Sequence, residues 1–153
     1  MSVLTSGASV RTTALGILVE RATAALPATT AAAIFNITGG RVSITSIVGE
    51  VTTIIQTQTC NTKLVANPTV GTSVDMCAVL NITADEVGCL YGITGVPADA
   101  MIGTNAGLTR APGNALILNT GTIDLDCAAT NTGSVKWSLT YVPIDNGAAV
   151  AAA

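Results

Sequence analysis

An alternation of apolar and polar residues between Gly121 and Ile144 constrains the fold of this chain more than any other feature. A period of two is typical of a strand that buries one face. The alternation is interrupted at Asn131-Thr132-Gly133, three residues that favour a turn. The sequence therefore predicts a β-hairpin, whose apolar face carries Ile123, Leu125 and Cys127 in one strand and Val135, Trp137, Leu139 and Tyr141 in the other.

The register of this hairpin follows from the positions of its apolar residues. Both strands place them at odd numbers, so opposite residues must add up to an even number if the apolar faces are to coincide. One such register sets Leu125 opposite Trp137 and Asp126 opposite Lys136. A slip by one residue would bury charged side chains, which costs several kcal/mol. We therefore expect Asp124 and Asp126 to face away from the core.

Further strand-like segments, separated by glycine and proline, fill the chain from Ala31 to Asn119. The first of them predict a meander of hairpins, and the change of parity between Ile44 and Ile47 predicts a bulge near Thr45-Ser46. The clean alternation over residues 73–83 predicts a central strand. The strands predicted before the terminal hairpin are 33–38, 41–48, 50–60, 73–83, 90–94, 100–102 and 114–119.

Together these strands predict a mainly β fold, either an antiparallel β-sandwich or a jelly-roll-like barrel of about eight strands. Residues 29–147 form this domain. Residues 1–28 fit either a helix through Leu15, Leu18, Val19, Ala22 and Leu26 or an extended arm that lies on a neighbouring subunit. Residues 148–153 form an alanine-rich tail that docks on a neighbour or stays disordered.

Composition removes several classes of function. The chain has no histidine, so it cannot hold a Ser-His-Asp or Cys-His arrangement. Six scattered basic residues and a net charge of −3 form no basic stripe that could bind nucleic acid. No apolar run approaches the length that spans a membrane. Hydrophobic residues make up 49% of the chain and charged residues only 10%, so we expect part of the surface to be covered by neighbouring subunits.

The carboxylates are the remaining candidates for chemistry. Asp124 and Asp126 project to one face of a strand and could share a cation, but a solvated face balanced by Lys136 is the simpler interpretation. Asp85 and Glu86 lie in a segment without the spacing of a calcium loop. We predict no catalytic, cofactor-binding or metal-binding residue and expect no enzyme activity. The full set of candidate carboxylates is Asp75, Asp85, Glu86, Asp99, Asp124 and Asp126.

Other short motifs favour structural explanations. The segment 92–95 lacks the Lys-Ser/Thr of a phosphate loop and is predicted to be a turn. Asn36 and Asn81 begin Asn-X-Thr triplets, but both fall in predicted strands of a chain without a predicted secretory signal. Trp137 and Tyr141 lie on the apolar face of the last strand, where core packing is the usual role and sugar stacking the alternative.

The cysteine spacing also argues against a metal site. No CxxC pair is present, and no histidine completes a zinc set. We expect reduced thiols, with Cys127 on the core face, and cross-links only if the assembled protein leaves the cell. The four cysteines are Cys60, Cys77, Cys89 and Cys127.

Three segments resemble small structural proteins of tailed bacteriophages. They are the run from Phe35 to Thr53, the run from Gly121 to Cys127, and the run from Gly133 to Ile144. Within that group, the size of the chain and its lack of histidine are most similar to capsid decoration (cement) proteins. The resemblance implies a homotrimer that binds the major capsid protein, is made in the host cytoplasm and resides on the capsid surface of the virion.

Two other functions stay open at this point. The chain could be a receptor- or glycan-binding β module, or another virion component from the tail or the minor capsid proteins. Binding to capsids separates the decoration function from the glycan-binding one.

Overall fold

Two antiparallel sheets pack face to face in this protein. A computed structural model describes residues 6–108 and 114–153, and all statements of structure refer to these. The elements are α1 Gly7–Leu15, β1 Ile17–Glu20, β2 Ala24–Ala25, β3 Ala31–Thr38, β4 Val42–Thr53, β5 Asn61–Pro68, β6 Val74–Asp75, β7 Leu80–Asn81, β8 Leu90–Gly92, β9 Ile102–Thr104, β10 Leu116–Leu118, β11 Gly121–Cys127, β12 Ser134–Pro143 and β13 Ala149–Ala152.

The first sheet has the order β1-β12-β4-β8-β9, with β2 also paired to β12 and β10 to β4. The second has the order β13-β3-β11-β5-β6, with β7 also paired to β5. The prediction of a mainly β antiparallel sandwich is confirmed, whereas the alternative of a closed barrel is not. The described residues contain thirteen strands rather than about eight, because several are only two to four residues long.

The predicted terminal hairpin is wrong. β11 lies between β3 and β5 in the second sheet, and β12 lies between β1 and β4 in the first. Leu125 therefore pairs with Ala32 and Leu64, while Trp137 pairs with Gly49. An alternating strand can bury its apolar face against a strand of the opposite sheet as well as beside a hairpin partner, and sequence periodicity does not distinguish the two.

The charged residues of β11 and β12 find partners other than those predicted. Asp126 lies opposite Lys63 of β5, and Lys136 forms an ion pair with Glu20 at 3.3 Å. Asp124 alternates with the buried residues Ile123 and Leu125, so it projects from the outer face of its sheet, as expected. It is nevertheless buried there, because neighbouring side chains cover it.

The predicted meander of hairpins is also wrong. β3 and β4 flank the turn at Gly39-Gly40 but belong to different sheets, and β4 runs through Gly49 without a break. The bulge predicted near Thr45-Ser46 is confirmed. Tyr141 pairs with Ile44 and Thr140 with Ser46, which leaves Thr45 as the extra residue.

The strand predicted over residues 73–83 is reduced to the two-residue strands β6 and β7. Met76 and Cys77 are both buried although they are adjacent, which a flat strand does not allow. The backbone N–H of Met76 donates to Leu64 of the second sheet, and Ala78 forms a parallel bridge with Ala100, next to the first. The segment thus closes one side of the sandwich.

The short strands predicted around Leu90, Ile102 and Leu116 are confirmed as β8, β9 and β10. The segment between β9 and β10 includes residues 109–113, which lie outside the described part of the chain. β10 does not lead into a hairpin with β11, because it pairs with β4 of the first sheet.

The terminal segments belong to the sandwich. The helix α1 begins after Ser6, whose Oγ accepts from the backbone N–H of Ser9, and it ends at Leu15. Of the two alternatives for residues 1–28, the helix through Leu26 is wrong beyond Leu15, because the chain is extended there and β1 and β2 pair with β12 of the same chain. The tail is likewise ordered as β13, which pairs with β3.

Trp137 packs over a glycine at the centre of the core. A Cβ atom at Gly49 would lie 2.9 Å from Cη2 and Cζ3 of the Trp137 ring, so only glycine leaves room for this ring. The ring of Tyr91, the residue paired with Gly49 in β8, lies 6.4 Å from the indole, centroid to centroid. Gly49 is therefore a packing requirement in the middle of β4.

An ion pair fastens the Gly39-Gly40 turn to the loop before β13. The Arg41 guanidinium donates to both carboxylate oxygens of Asp145, at 2.9 and 2.7 Å, and the backbone N–H of Arg41 donates at 2.8 Å. These hydrogen bonds with Arg41 hold the pKa of Asp145 well below its ordinary value. This ion pair joins the turn between β3 and β4, where the chain passes from the second sheet to the first, to the loop that precedes β13.

We predict that Gly49→Ala destabilises the protein by about 1–3 kcal/mol, because the new methyl group overlaps the indole of Trp137. The free energy of unfolding is measured in urea with Trp137 fluorescence as the signal. Gly7→Ala is the control, since a Cβ there has only Arg11 Nη1 nearby, at 3.8 Å. Equal stability of the Gly49 variant and the native protein would contradict the packing described.

We predict that Asp145→Asn destabilises the protein at neutral pH and that its deficit shrinks in acid. The folded-state pKa of Asp145 is depressed, so its contribution is present above the unfolded pKa of about 3.9 and is lost as the pH falls towards the folded value. Urea unfolding of both proteins from neutral pH to below about pH 4 tests this sign. Glu86→Gln, at an exposed position, should show no comparable deficit.

Candidate functional site

One side of the sandwich is an open pair of sheet edges. β1 is the end strand of the first sheet and β13 the end strand of the second, and each has one strand neighbour in the described residues. The Nε of Arg21, just after β1, donates to the carbonyl oxygen of Ala153, just after β13, at 3.1 Å. Free edges carry unpaired backbone groups that can accept another strand.

This open side carries exposed apolar side chains. Ile17 and Leu18 of β1 are 42% and 47% exposed, and Val142 at the end of β12 is 44% exposed. A Cβ on Gly16 would lie 3.0 Å from Val142, which places these residues side by side. We call the group of Ile17, Leu18 and Val142 the edge patch.

The edge patch includes an apolar side chain that stays exposed although it lies on the core-facing side of its sheet. Ile17 lies opposite Tyr141, on the face of β1 that points towards the core, yet it remains exposed. β1 carries one charged residue, Glu20 at its end, and β13 carries none. Natural sheet edges are usually protected by charges or proline, so this edge is suited to contact with another molecule.

The helix α1 beside the edge patch contributes no buried residue. Its carboxyl end is fixed to the first sheet, where the hydroxyl of Thr45 donates to the carbonyl oxygen of Leu15 and contacts the hydroxyl of Thr140. A helix of nine residues is marginal in water without packing. The exposed helix is therefore a second feature of this side that a neighbouring molecule would stabilise.

The candidate carboxylates on the second sheet are engaged in local hydrogen bonds. Asp124 accepts from the hydroxyl of Thr122 at 2.6 Å and from Nδ2 of Asn67 at 3.1 Å. Asp75 pairs with Lys63 at 2.8 Å. These contacts connect β5, β6 and β11, so the carboxylates brace the outer face of the sheet.

The other carboxylates lie at the β8–β9 end. The hydroxyl of Tyr91 donates to Asp85 at 2.7 Å, and that of Thr94 donates to Asp99 at 2.8 Å. Burial, with the contact to Asp85 as a second cause, raises the pKa of Tyr91. Asp85 also lines an open polar cavity of about 220 Å3 with Leu80, Asn81, Cys89, Gly103, Thr104 and Asn105.

No group of three or more acidic or cysteine side chains in the described ranges is arranged to hold a metal ion. Trp137 and Tyr141 are buried in the core, so neither presents a ring for sugar stacking. Asn81 is exposed, but its Oδ1 accepts from the backbone N–H of Cys60 and the hydroxyl of Thr83. Gly92, the first residue of the segment 92–95 that lacks the phosphate-loop motif, is the last residue of β8.

A larger cavity, of about 280 Å3, lies on the side of the sandwich closed by residues 76–82. Its walls include Met76, Leu116 and Leu118, with the exposed Val74 and Ile117 at its rim. The polar groups that line it, such as Asn67 and Asp75, already have partners within the chain. The cavity is a mainly apolar groove.

The edge patch and the cavities escaped sequence reasoning for different reasons. The apolar run from Ile17 to Val19 is visible in the sequence. Because the same residues also fit a helix, the sequence does not predict that they lie at a free sheet edge. The cavities form between segments distant in sequence and leave no local pattern.

All four thiols are buried, and none forms a disulfide. Burial raises the pKa of the Cys77 and Cys89 thiols, and it raises that of Cys127 to about 12. The hydroxyl of Thr62 contacts Cys60 at 3.4 Å and Cys127 at 3.7 Å. Burial of Cys77, Cys89 and Cys127 therefore favours their neutral, unreactive thiol form at neutral pH.

We predict that iodoacetamide labels no cysteine rapidly in the native protein at neutral pH and labels all four in denaturant. The reason is that buried thiols must be exposed by unfolding before thiolate can form. Intact-protein mass spectrometry over time measures the number of added groups. Rapid labelling of Cys89 in the native state would contradict its burial beside the polar cavity.

Comparison with protein-family models, with curated proteins and with solved structures finds no match to this chain. The helix of the described residues is too short to cross a bilayer. The edge patch, the cavities and the resemblance in sequence are therefore the features that bear on the function of this chain.

Proposed function

We propose that this chain is a non-enzymatic virion structural protein of a tailed bacteriophage. In this function it acts as a decoration protein that binds the outside of the capsid lattice and stabilises it. Its partners are the major capsid protein and further copies of itself, in a homotrimer, and its location is the capsid surface after synthesis in the host cytoplasm.

The edge patch is the observation that carries this proposal. Decoration requires a rigid domain that buries apolar surface against neighbours, and the patch offers apolar side chains beside an unpaired strand edge. Burial of apolar surface contributes about 25 cal/mol per Å2 before the costs of association. Contacts of this kind need no strong charge pair, in agreement with a chain that is only 10% charged.

The hydrogen bonds of the carboxylates also favour a structural function. Asp75, Asp124 and Asp145 each join two segments of the sandwich. A catalytic pair of carboxylates would instead converge on an accessible cleft. The network fits a domain built to resist deformation.

A receptor- or glycan-binding module is the second candidate. The polar cavity lined by Asn81, Asp85 and Asn105 is the observation that favours it, because side-chain amides and carboxylates are suited to hydroxyl groups. The ring of Tyr91 beside it is buried and cannot stack on a sugar. For this reason we rank glycan binding below decoration.

We predict that Leu18→Lys abolishes both self-association and capsid binding, because a charge in the edge patch would have to be buried. Light scattering coupled to size exclusion gives the mass, and co-sedimentation with expanded, undecorated capsids of tailed phages gives binding. The native protein should form a trimer of 15.2 kDa chains and sediment with the capsids.

Val70→Lys is the matched control. Val70 is 86% exposed and lies in the loop after β5, outside the edge patch, so this variant should behave like the native protein. The proposal would be overturned in favour of the second candidate by three results together. The native protein would stay monomeric, would fail to sediment with any capsid, and would bind a sugar on a glycan array in competition with the free sugar.

A further inference from the structure

Asn146 differs from every other asparagine of the chain because a glycine follows it. It lies with Gly147 in the middle of the turn before β13, where the backbone N–H of Ala148 donates to the carbonyl oxygen of Asp145 at 3.1 Å. Glycine has no Cβ and adopts backbone conformations that other residues avoid. The backbone nitrogen that follows Asn146 is therefore open to the approach of the asparagine side chain.

The two groups that meet in this turn are exposed and not hydrogen-bonded. Asn146 and Gly147 are both exposed, and a Cβ on Gly147 would have no atom within 4 Å. Among the described residues, neither the side-chain amide of Asn146 nor the backbone N–H of Gly147 takes part in a hydrogen bond. Both groups are thus free to react with each other.

We propose that Asn146 is a site of spontaneous deamidation and that its isoaspartate product loosens the attachment of β13. The backbone nitrogen of Gly147 attacks Cγ of Asn146 and forms a cyclic imide. The bond from Cγ to Nδ2 breaks, and the Nδ2 group leaves as ammonia with the proton of the attacking N–H group. Solvent water is the only other reactant.

The cyclic imide opens to two products when it takes up one water molecule. Opening at Cγ gives aspartate with the ordinary main chain. Opening at the main-chain carbonyl carbon gives isoaspartate, in which the main chain runs through Cβ and Cγ and the former main-chain carbonyl becomes the free carboxylate. Isoaspartate thus adds one methylene group to the main chain.

This extra length falls in a turn that is packed closely against another turn. A Cβ on Gly40 would lie 2.6 Å from Cβ of Asp145, and a Cβ on Gly39 would overlap the carbonyl oxygen of Gly147. The Gly39-Gly40 turn therefore touches the chain on both sides of Asn146. A longer main chain at Asn146 has to give up part of this contact.

The strand β13 follows this turn directly. It begins at Ala149, and Ala148 and Val150 are buried. β13 lies at the end of the second sheet, with β3 as its only paired strand among the described residues. A strand with one neighbour opens locally at a lower free energy than a strand inside a sheet, so displacement of its first turn should increase its opening.

The charge of the products acts separately from the length of the main chain. Both products place a carboxylate next to Asp145, which already accepts from the guanidinium and the backbone N–H of Arg41. A like charge at this distance disfavours the charged form of Asp145. The variant Asn146→Asp carries this charge without the longer main chain and therefore separates the two effects. The reaction needs no partner, so the inference does not depend on the proposed function.

Peptide mapping by mass spectrometry tests the first part of the inference. The purified protein is kept at neutral pH and physiological temperature, and samples are digested over time. We expect the peptide that contains Asn146 to replace its amide by a carboxyl group several-fold faster than any other asparagine peptide. An isoaspartate-specific methyltransferase then distinguishes isoaspartate from aspartate in that peptide.

Asn146→Gln should stop the conversion at this position, because the longer side chain would have to close a larger ring. Asn114→Gln is the matched control, since Asn114 is exposed outside the strands but precedes Ala115. This control should convert at residue 146 at the native rate.

Hydrogen exchange of the β13 amides tests the second part. The isoaspartate form is separated from the aged protein and compared with the fresh protein and with Asn146→Asp. We expect exchange in β13 to be several-fold faster in the isoaspartate form than in either of the others, with the amides of β11 and β12 unchanged.

Faster conversion at Asn146 than at every other asparagine, followed by faster β13 exchange in the isoaspartate form alone, supports the inference. Conversion no faster than at Asn114 would overturn it. Equal β13 exchange in the isoaspartate form and in Asn146→Asp would also overturn it, because the longer main chain would then have no effect on the strand.

Discussion

The packing of the two sheets against each other around one apolar core is the interaction on which the rest of the structure depends. β11 is the middle strand of the second sheet and β12 lies between β1 and β4 in the first, and both turn their apolar faces to this core. Trp137 of β12 fills the space between the sheets, and Gly49 of β4 leaves room for its ring. Loss of that fit would disturb the packing of both sheets, because Trp137 is the largest fully buried side chain among the described residues and Tyr91 packs beside it.

Sequence reasoning identified the strands of this fold better than their partners. The alternation in residues 121–144 predicted two strands with the correct buried faces, and a parity change located the bulge at Thr45. The predicted pairing was wrong for a simple reason. A period of two shows which side chains of a strand lie on the same face, but it does not show which strand is the neighbour. The same ambiguity affected residues 17–25, where the apolar spacing fits a helix but the backbone pairs with β12.

The open side and the closed side of the sandwich differ for a physical reason. Residues 76–78 reach from the second sheet to Ala100 beside the first, and β7 then pairs with β5 of the second sheet again, so residues 76–82 cover one pair of edges. At the other pair, β1 and β13 are linked by the hydrogen bond from Arg21 to Ala153, and the apolar side chains there stay exposed. Periodicity within one segment could not predict this asymmetry, because it depends on which distant segments become neighbours. The edge patch follows from this asymmetry.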